Sequence, residues 1–302
     1  MSIIYLENNK INKQKWDSCI DKAPNGNVYA YSHYLDHMSK HWDALVMGDY
    51  ECVMPVTWNR KYGIYYLYQP FFTPALGVFG KTLSGRLVGS FLQSIPSRFK
   101  YWDIYLNHSN LFVNTGFSLY ERMNFVLDLN RSYEDLYEGF SESHKRNIKK
   151  AQNVGCSILK DIDVEAIIAL ASLQSKSFSP AKKRDYDNFT LLFHEMQVRG
   201  KAKTYGVFKE DKLLASCTFF FSHSRAYYIL VGNHPDGRTL GASQFLFNEF
   251  IRERAGTNLI LDFEGSQIEG LASFYSGFGG VEEKYAGVKV NRLSPLIKFF
   301  KK

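Results

Sequence analysis

The chain has 302 residues, 45% hydrophobic and 16% aromatic, and a formal net charge of +7. That length and apolar content suit about two domains with ordinary cores, and the charge favours an anionic partner such as a phosphorylated cofactor, RNA or an anionic membrane face. No stretch approaches the ~18 consecutive apolar residues of a membrane span, and residues 1–10 hold no apolar run able to act as a signal peptide, so a cytoplasmic protein without a transmembrane segment is expected.

In chain order, the first half predicts a strand over 3–6, a helix over 13–20 and a turn at Asn25-Gly26-Asn27. A helix over 31–38, with Ser32 as candidate N-cap, leads into a hairpin of strands 44–47 and 52–58 about Gly48-Asp49. A strand over 64–68, a helix over 83–94 ended by Pro96, and a strand over 100–106 complete this half.

The second half opens with a strand over 123–129, then one long helix from the Ser132 cap to 153, stopped by Gly155. Helices over 164–177 and 188–199 precede three strands, 204–208, 213–221 and 226–231. A helix over 241–255, a strand over 259–263, a short helix and a last strand follow. Strands alternate with helices around an antiparallel meander, which predicts a mixed α/β fold. No Pro-rich or low-complexity linker separates the halves, and the expected boundary lies near Arg122, giving domains 1–121 and 122–302.

One pattern occurs twice. Asp103 lies in an apolar strand and is followed 14 positions later by the phenylalanine of Gly116-Phe117; Asp262 is followed 16 positions later by that of Gly277-Phe278. The two aspartates are 159 residues apart, about half the chain, so two copies of one fold in tandem are expected.

Three local features bear on chemistry. The turn Asp236-Gly237-Arg238-Thr239-Leu240-Gly241-Ala242-Ser243 opens a helix, where unpaired N–H groups, glycines and the Arg238 cation suit a pyrophosphate; a plain capped turn is the alternative. Lys145, Arg146, Lys149 and Lys150 crowd one helix and suit either a phosphate contact, an RNA-docking patch or a solvated face, with Ile148 and Ala151 turned inward. Lys182-Lys183-Arg184 is placed in a loop between helices. Cys19, Cys52, Cys156 and Cys217 are far apart with no metal-ligand spacing, and His194-Glu195 lacks a second histidine four residues on; free thiols and no metal are expected.

Arg238-x-x-Gly241-x-Ser243 resembles the Arg/Gln-x-x-Gly-x-Gly/Ala loop that grips the acyl-CoA pyrophosphate in the GNAT superfamily, with serine at the third small position. The stretch from Ser143-His144-Lys145-Arg146-Asn147 to Ala151, with Gly155, is similar to the tandem-GNAT group of Fem-type aminoacyltransferases and BioF2-like acetyltransferase domains. So are Leu261-Asp262-Phe263-Glu264-Gly265-Ser266 and Phe274 through Gly280. The resemblance implies two GNAT-like domains in tandem, each a mixed twisted sheet flanked by helices, with the N-terminal copy reduced.

It further implies an N-acyltransferase moving an acyl or aminoacyl group to an amine, with splayed strands and no Ser-His-Asp unit. Acyl-CoA is the favoured donor and aminoacyl-tRNA the alternative; the acceptor implied is an amine, such as one on a peptidoglycan or polysaccharide precursor. Arg238, Thr239, Gly241, Ala242 and Ser243 would hold the donor. Glu264 is the preferred general base. Asp262, two residues back and so on the same strand face, would anchor the amine or serve structurally. Tyr228, Tyr275 and Tyr285 are candidates to protonate the leaving group, Tyr228 also touching substrate, while Tyr65, Gln69 and Phe71 would shape the acceptor side. A binding module that has lost turnover and docks an anionic polymer is the rival reading. The sequence sets no oligomeric state.

Overall fold

A computed structural model describes residues 2–175, 181–265 and 269–294. Of the sequence features, Ser266 and the end of the helix expected to reach 177 lie outside the described residues. The chain divides into two compact units, Met1–Arg122 with Lys284–Lys302, and Met123–Glu283.

The first unit runs β1 (Ile3–Leu6), α1 (Lys13–Lys22), α2 (Ser32–Met38), β2 (Trp42–Met47), β3 (Cys52–Lys61), β4 (Ile64–Tyr68), the two-residue β5 (Phe79–Gly80), α3 (Gly85–Gln93) and β6 (Phe99–Leu106). α2 is capped by Tyr31, and Ser32 is its first residue, tied through its own N–H and hydroxyl to the Asp17 carboxylate at 2.7 Å each. Along β6 the even residues Trp102, Ile104 and Leu106 are buried and the odd ones half-exposed, so one face carries the core, under Val88, Phe91 and Leu92 of α3.

Next come β7 (Leu119–Asp128), α4 (Tyr133–Glu138), α5 (Glu142–Asn153), β8 (Ser157–Lys160), α6 (Val164–Ser175), α7 (Lys183–Val198), β9 (Ala202–Lys209), β10 (Lys212–Ser222) and β11 (Arg225–Asn233). The chain ends through α8 (Pro235–Leu240), α9 (Ala242–Arg254), β12 (Ile260–Asp262), α10 (Glu269–Ser276) and β13 (Val281–Asn291). The second core gathers Phe219, Phe247, Phe250, Phe263 and Phe278, with Phe219 stacked on Phe250 at 3.9 Å.

The two units repeat one strand order. In the first it is β1-β2-β3-β4-β6-β13, in the second β8-β9-β10-β11-β12-β7. Every neighbouring pair is antiparallel except the fourth with the fifth, β4 with β6 and β11 with β12, which are parallel and joined by helical crossovers. Each unit also places two helices between its first and second strands. The fold is therefore mixed α/β with GNAT-like sheets in tandem. The parallel pairing ends at Tyr68↔Asp103 in one unit and at Tyr227↔Asp262 in the other. Position 227 lies 159 beyond 68, just as 262 lies 159 beyond 103, so the repeated aspartates occupy one topological place.

Several local expectations change. The long helix over 132–153 is two helices, because Ser141 starts a new one: its hydroxyl accepts the His144 N–H (3.3 Å), and its own N–H is drawn off to Gly277 O (2.8 Å). α7 begins at Lys183 because the Asp185 carboxylate accepts the Lys182 N–H (2.8 Å), so Lys183 and Arg184 form a helix turn and not a loop. Residues from Lys284 onward belong with the first unit, where Ala286–Asn291 pairs with Tyr101–Leu106.

Candidate active site

The second unit contains a sheet that opens. β12 stops at Asp262, while β11 continues to Asn233, still paired with β10 on its other edge up to Ala215↔Asn233. From Tyr228 on, the β12-side edge of β11 has no strand partner among the described residues, and such backbone groups call for another partner. α6 closes over the far end: a Cβ on Gly232 would stand 2.9 Å from both the Ala171 backbone and Leu170.

β11 leads into α8 and α9. His234 caps α8, its Nδ1 accepting the Asp236 N–H at 3.1 Å. Gly241 has φ 76° and its N–H turns back to the Arg238 carbonyl. A Cβ on Gly241 would lie 2.4 Å from Asn147 O of α5, so backbone contact with α5 demands glycine here, independent of any anion. Ser243 donates its hydroxyl to Asn233 Oδ1 (2.7 Å), fastening the helix start to the end of β11. Ala242 is buried, Arg238 and Thr239 are exposed, and glycine as N-cap supplies no side chain to the first N–H groups of α9.

At the mouth of the opening, Asp262 is committed to structure. Its carboxylate accepts from Arg225 Nη1 and Asn124 Nδ2, each at 2.8 Å, and from the Glu264 N–H at 3.0 Å. Arg225 also holds Glu283 through both guanidinium ends, at 2.9 and 2.6 Å. Burial would lower the Arg225 pKa, but the hydrogen bonds to Glu283 and the two carboxylate charges outweigh it, so the cation stays charged. Glu264 follows the strand's end with φ 63°, in left-handed backbone, which overturns the expectation that it shares a strand face with Asp262. The next N–H, of Gly265, is held by Asn124 Oδ1 at 2.5 Å.

Tyr275 stacks on Phe263 at 4.7 Å; burial and then the Glu264 charge push its phenol upward, so it stays protonated. Tyr228 sits in the core against Phe247 (4.7 Å) and Phe219 (5.6 Å), a packing position.

His144, which the sequence offers only within the stretch that carries the resemblance, is buried. Its Nε2 meets Phe274 O at 2.9 Å, its Nδ1 meets Ser141 Oγ at 3.0 Å, and its ring lies 4.3 Å from that of Phe278. A Cβ on Gly277 would fall 2.5 Å from the imidazole, so two of the sequence stretches that carried the resemblance lock together here. The signal was the i, i+4, i+7 spacing of His144, Ile148 and Ala151, one inward face. Arg225 was also missed; a lone cation opening an apolar strand was its mark. Lys145, Arg146, Lys149 and Lys150 line one recess of about 580 Å³ with Tyr137 and Asn153. Lys145 is paired with Glu142 at 3.1 Å.

The remaining predicted residues belong to the first unit. Gln69 Oε1 accepts the Tyr105 N–H (3.0 Å) while its amide donates to Thr73 O, which makes it a loop anchor. Tyr65 carries the guanidinium groups of Arg60 and Arg98 over its ring, at 5.1 and 5.6 Å, and Phe71 meets Phe72 edge-on. Tyr285 accepts the Arg122 Nε–H at 2.9 Å. All four cysteines are free, and burial raises the Cys217 thiol well above its ordinary range. No helix among the described residues is long and apolar enough to cross a membrane.

Residues 139–264 match the family model of the GNAT acetyltransferase domain. No curated protein matches the chain. Among solved structures, FemX covers 100% of this chain and 100% of its own at 12% identity, with a TM-score of 0.65. A conserved protein of unknown function from Bacteroides thetaiotaomicron covers 95% and 99% at 12% identity (TM-score 0.62). The C-terminal domain of a putative lysylphosphatidylglycerol synthetase from Agrobacterium fabrum covers 96% and 93% at 11% identity (TM-score 0.56). The opening between β11 and β12 and the helix start that follows it lie within or next to the stretch, residues 139–264, that matches the GNAT acetyltransferase domain, and the chain shares its fold with FemX.

Proposed function

We propose that the second unit is an N-acyltransferase site that moves an acyl or aminoacyl group from an activated donor to an amine, with acyl-CoA as the favoured donor. The observation that carries this reading is the parting of β11 from β12 at Tyr227↔Asp262, with Glu264 held in left-handed backbone at the mouth. The free edge of β11 suits an amide-bearing donor arm, and the first N–H groups of α9 with Arg238 suit its pyrophosphate. Aminoacyl-tRNA is the other donor that such a site would serve.

In this reading Glu264 takes the proton from the acceptor ammonium. The freed amine attacks the thioester carbonyl carbon and the C–S bond breaks; the second proton that the attacking nitrogen must lose passes to the departing thiolate, relayed by the Tyr275 hydroxyl, which ends protonated as it began. Non-Gly residues in left-handed backbone cost about 1–2 kcal/mol, and such cost collects at functional sites, which favours Glu264 over the ion-paired Asp262. A structural neighbour named as a putative lysylphosphatidylglycerol synthetase supports an acceptor of the cell envelope, such as a peptidoglycan or polysaccharide precursor. Titration calorimetry with CoA tests the donor: binding weakened by Arg238→Ala is expected, and no heat at millimolar CoA would sink the CoA version. Glu264→Gln should then cut transfer by roughly 10²-fold or more while leaving CoA affinity alone.

A further inference from the structure

The segment from β3 into β6 holds no acid. Between Cys52 and Trp102 it carries Arg60, Lys61, Lys81, Arg86, Arg98 and Lys100 and no Asp or Glu, six positive charges in a chain whose formal net charge is +7. The fold brings four of the six to one end of the first unit's sheet. Arg60 and Lys61 close β3 at the tip of its hairpin with β4. β4 runs parallel to β6, with Tyr65 opposite Phe99, so Arg98 and Lys100 lie at that same end. Arg292 joins them, its N–H on the Lys100 carbonyl at 2.7 Å. All five residues are exposed, and among the described residues only Arg98 has an ion pair, 3.6 Å from Asp43. Asp43 is buried and already accepts from Trp58 Nε1 at 2.7 Å and the Asn8 N–H at 2.9 Å.

The tip also carries an aromatic ring that packs against no apolar neighbour. Tyr62 and Gly63 form the turn, both in left-handed backbone at φ 50° and 79°. Such turns favour Asn-Gly and disfavour a bulky side chain. Tyr62 is nonetheless 91% exposed, with the Lys61 ammonium 5.3 Å from its ring centre. A Cβ on Gly63 would meet nothing within 4 Å, so the tip is convex and projects. Behind it Arg60 lies over the half-exposed Tyr65 ring at 5.1 Å, and His41 stacks on Trp58 at 4.4 Å.

A convex basic tip offers no groove to a nucleic-acid strand, but it fits a flat anionic surface. There a phenol settles at the headgroup boundary, while Arg and Lys lay their stems along apolar surface and keep their charges at the phosphates. The eight residues after Ser294, outside the described residues, read Pro-Leu-Ile-Lys-Phe-Phe-Lys-Lys, again cations and large apolar side chains without an acid.

We infer that the β3–β4 hairpin docks the first unit on an anionic phospholipid bilayer, with Tyr62 in the headgroup layer and Arg60, Lys61, Arg98, Lys100 and Arg292 facing lipid phosphates. The contact is peripheral and does not rest on the identity of the acyl donor.

Sedimentation of the full chain with vesicles of phosphatidylcholine alone, and of phosphatidylcholine with one-third phosphatidylglycerol, tests it. Binding to the anionic vesicles only is expected, weakening as salt rises. Arg60→Gln/Lys61→Gln should lower vesicle affinity about thirtyfold, the usual strength of two cations at an anionic surface. Tyr62→Asn should lower it severalfold without lowering the urea midpoint, since asparagine suits the left-handed turn. Arg146→Gln/Lys150→Gln, an equal loss of charge on α5, should leave vesicle binding as it is. Both hairpin variants should bind CoA as the wild type does, because the hairpin belongs to the other unit; vesicle binding thus stands or falls apart from the proposed donor. No sedimentation with anionic vesicles, equal sedimentation with neutral ones, or an equal loss in the α5 variant overturns the docking tip. So does retention of a short RNA that Arg60→Gln/Lys61→Gln abolishes, in the absence of vesicle binding, which would reassign the tip to polynucleotide.

Discussion

The two units close the same strand pair in opposite ways. In the first, Tyr68↔Asp103 is followed by a seal: Gln69 Oε1 takes the Tyr105 N–H, Leu76 N–H reaches Tyr105 O, and Asn107 N–H reaches Leu76 O. In the second, Tyr227↔Asp262 is followed by six further residues of β11 with no β12 alongside. Tyr105 and Glu264 are counterparts at the 159-residue offset, yet one backbone N–H is held by a distant glutamine and the other by the preceding aspartate. The aspartates differ as well. Asp262 is buried in an ion-pair network with Arg225, whereas Asp103 is partly exposed, accepts from Tyr101 and Tyr120 hydroxyls, and stands 3.8 Å from Lys289. One fold, used twice, thus keeps a sealed copy and an open copy, and the open copy has its charges locked in place around the opening.

That contrast can be broken at its strongest point first. Arg225→Ala leaves two carboxylates facing each other without their cation and should cost roughly 3–5 kcal/mol in urea unfolding, whereas Lys289→Ala beside Asp103 should cost about 0–1 kcal/mol. Similar losses at the two sites would contradict the difference drawn between the aspartates. Next, Gln69→Ala removes the acceptor of a half-buried N–H and should destabilise by about 1–2 kcal/mol without altering CoA binding; a change in CoA affinity would move the donor to the first unit. The smallest effect concerns pH. Burial, partly offset by the hydrogen bond with Phe274 O, lowers the His144 pKa, so the unfolded chain takes up a proton that the folded one resists. Stability should therefore fall as pH drops below the ordinary histidine range, and the urea midpoint should lose less between pH 7 and pH 5 in His144→Gln. An unchanged pH dependence in that variant would remove His144 from the account.

The duplicated aspartate and the alternation of strands and helices made the tandem fold legible, because both follow from residue order alone. The opening of the sheet was not legible. Nothing in the run from Tyr228 to Asn233 says that its neighbour stops at Asp262; that depends on Glu264 and Gly265 turning into left-handed backbone, secured by Asn124 from far along the chain. Gly241 shows a different limit. Its place at the start of α9 was legible, but Asp236–Leu240, expected as a turn, belongs to α8, and the reason for glycine is contact with α5, which only the packed structure reveals. The unbroken helix expected over 132–153 failed for a related cause, since Ser141 is a stronger start when Gly277 is there to take its N–H. Basic charge on α5 was plain in the sequence; its gathering into one recess was not.

Hydrogen–deuterium exchange with and without CoA tests the central claim most directly, because it reads backbone N–H groups in both units at once. Slower exchange is expected across residues 228–233 and the first turn of α9, with residues 65–80 unchanged. Protection confined to residues 65–80, or none in β11 and α9 at saturating CoA, would contradict the assignment of the donor cleft to the opened sheet.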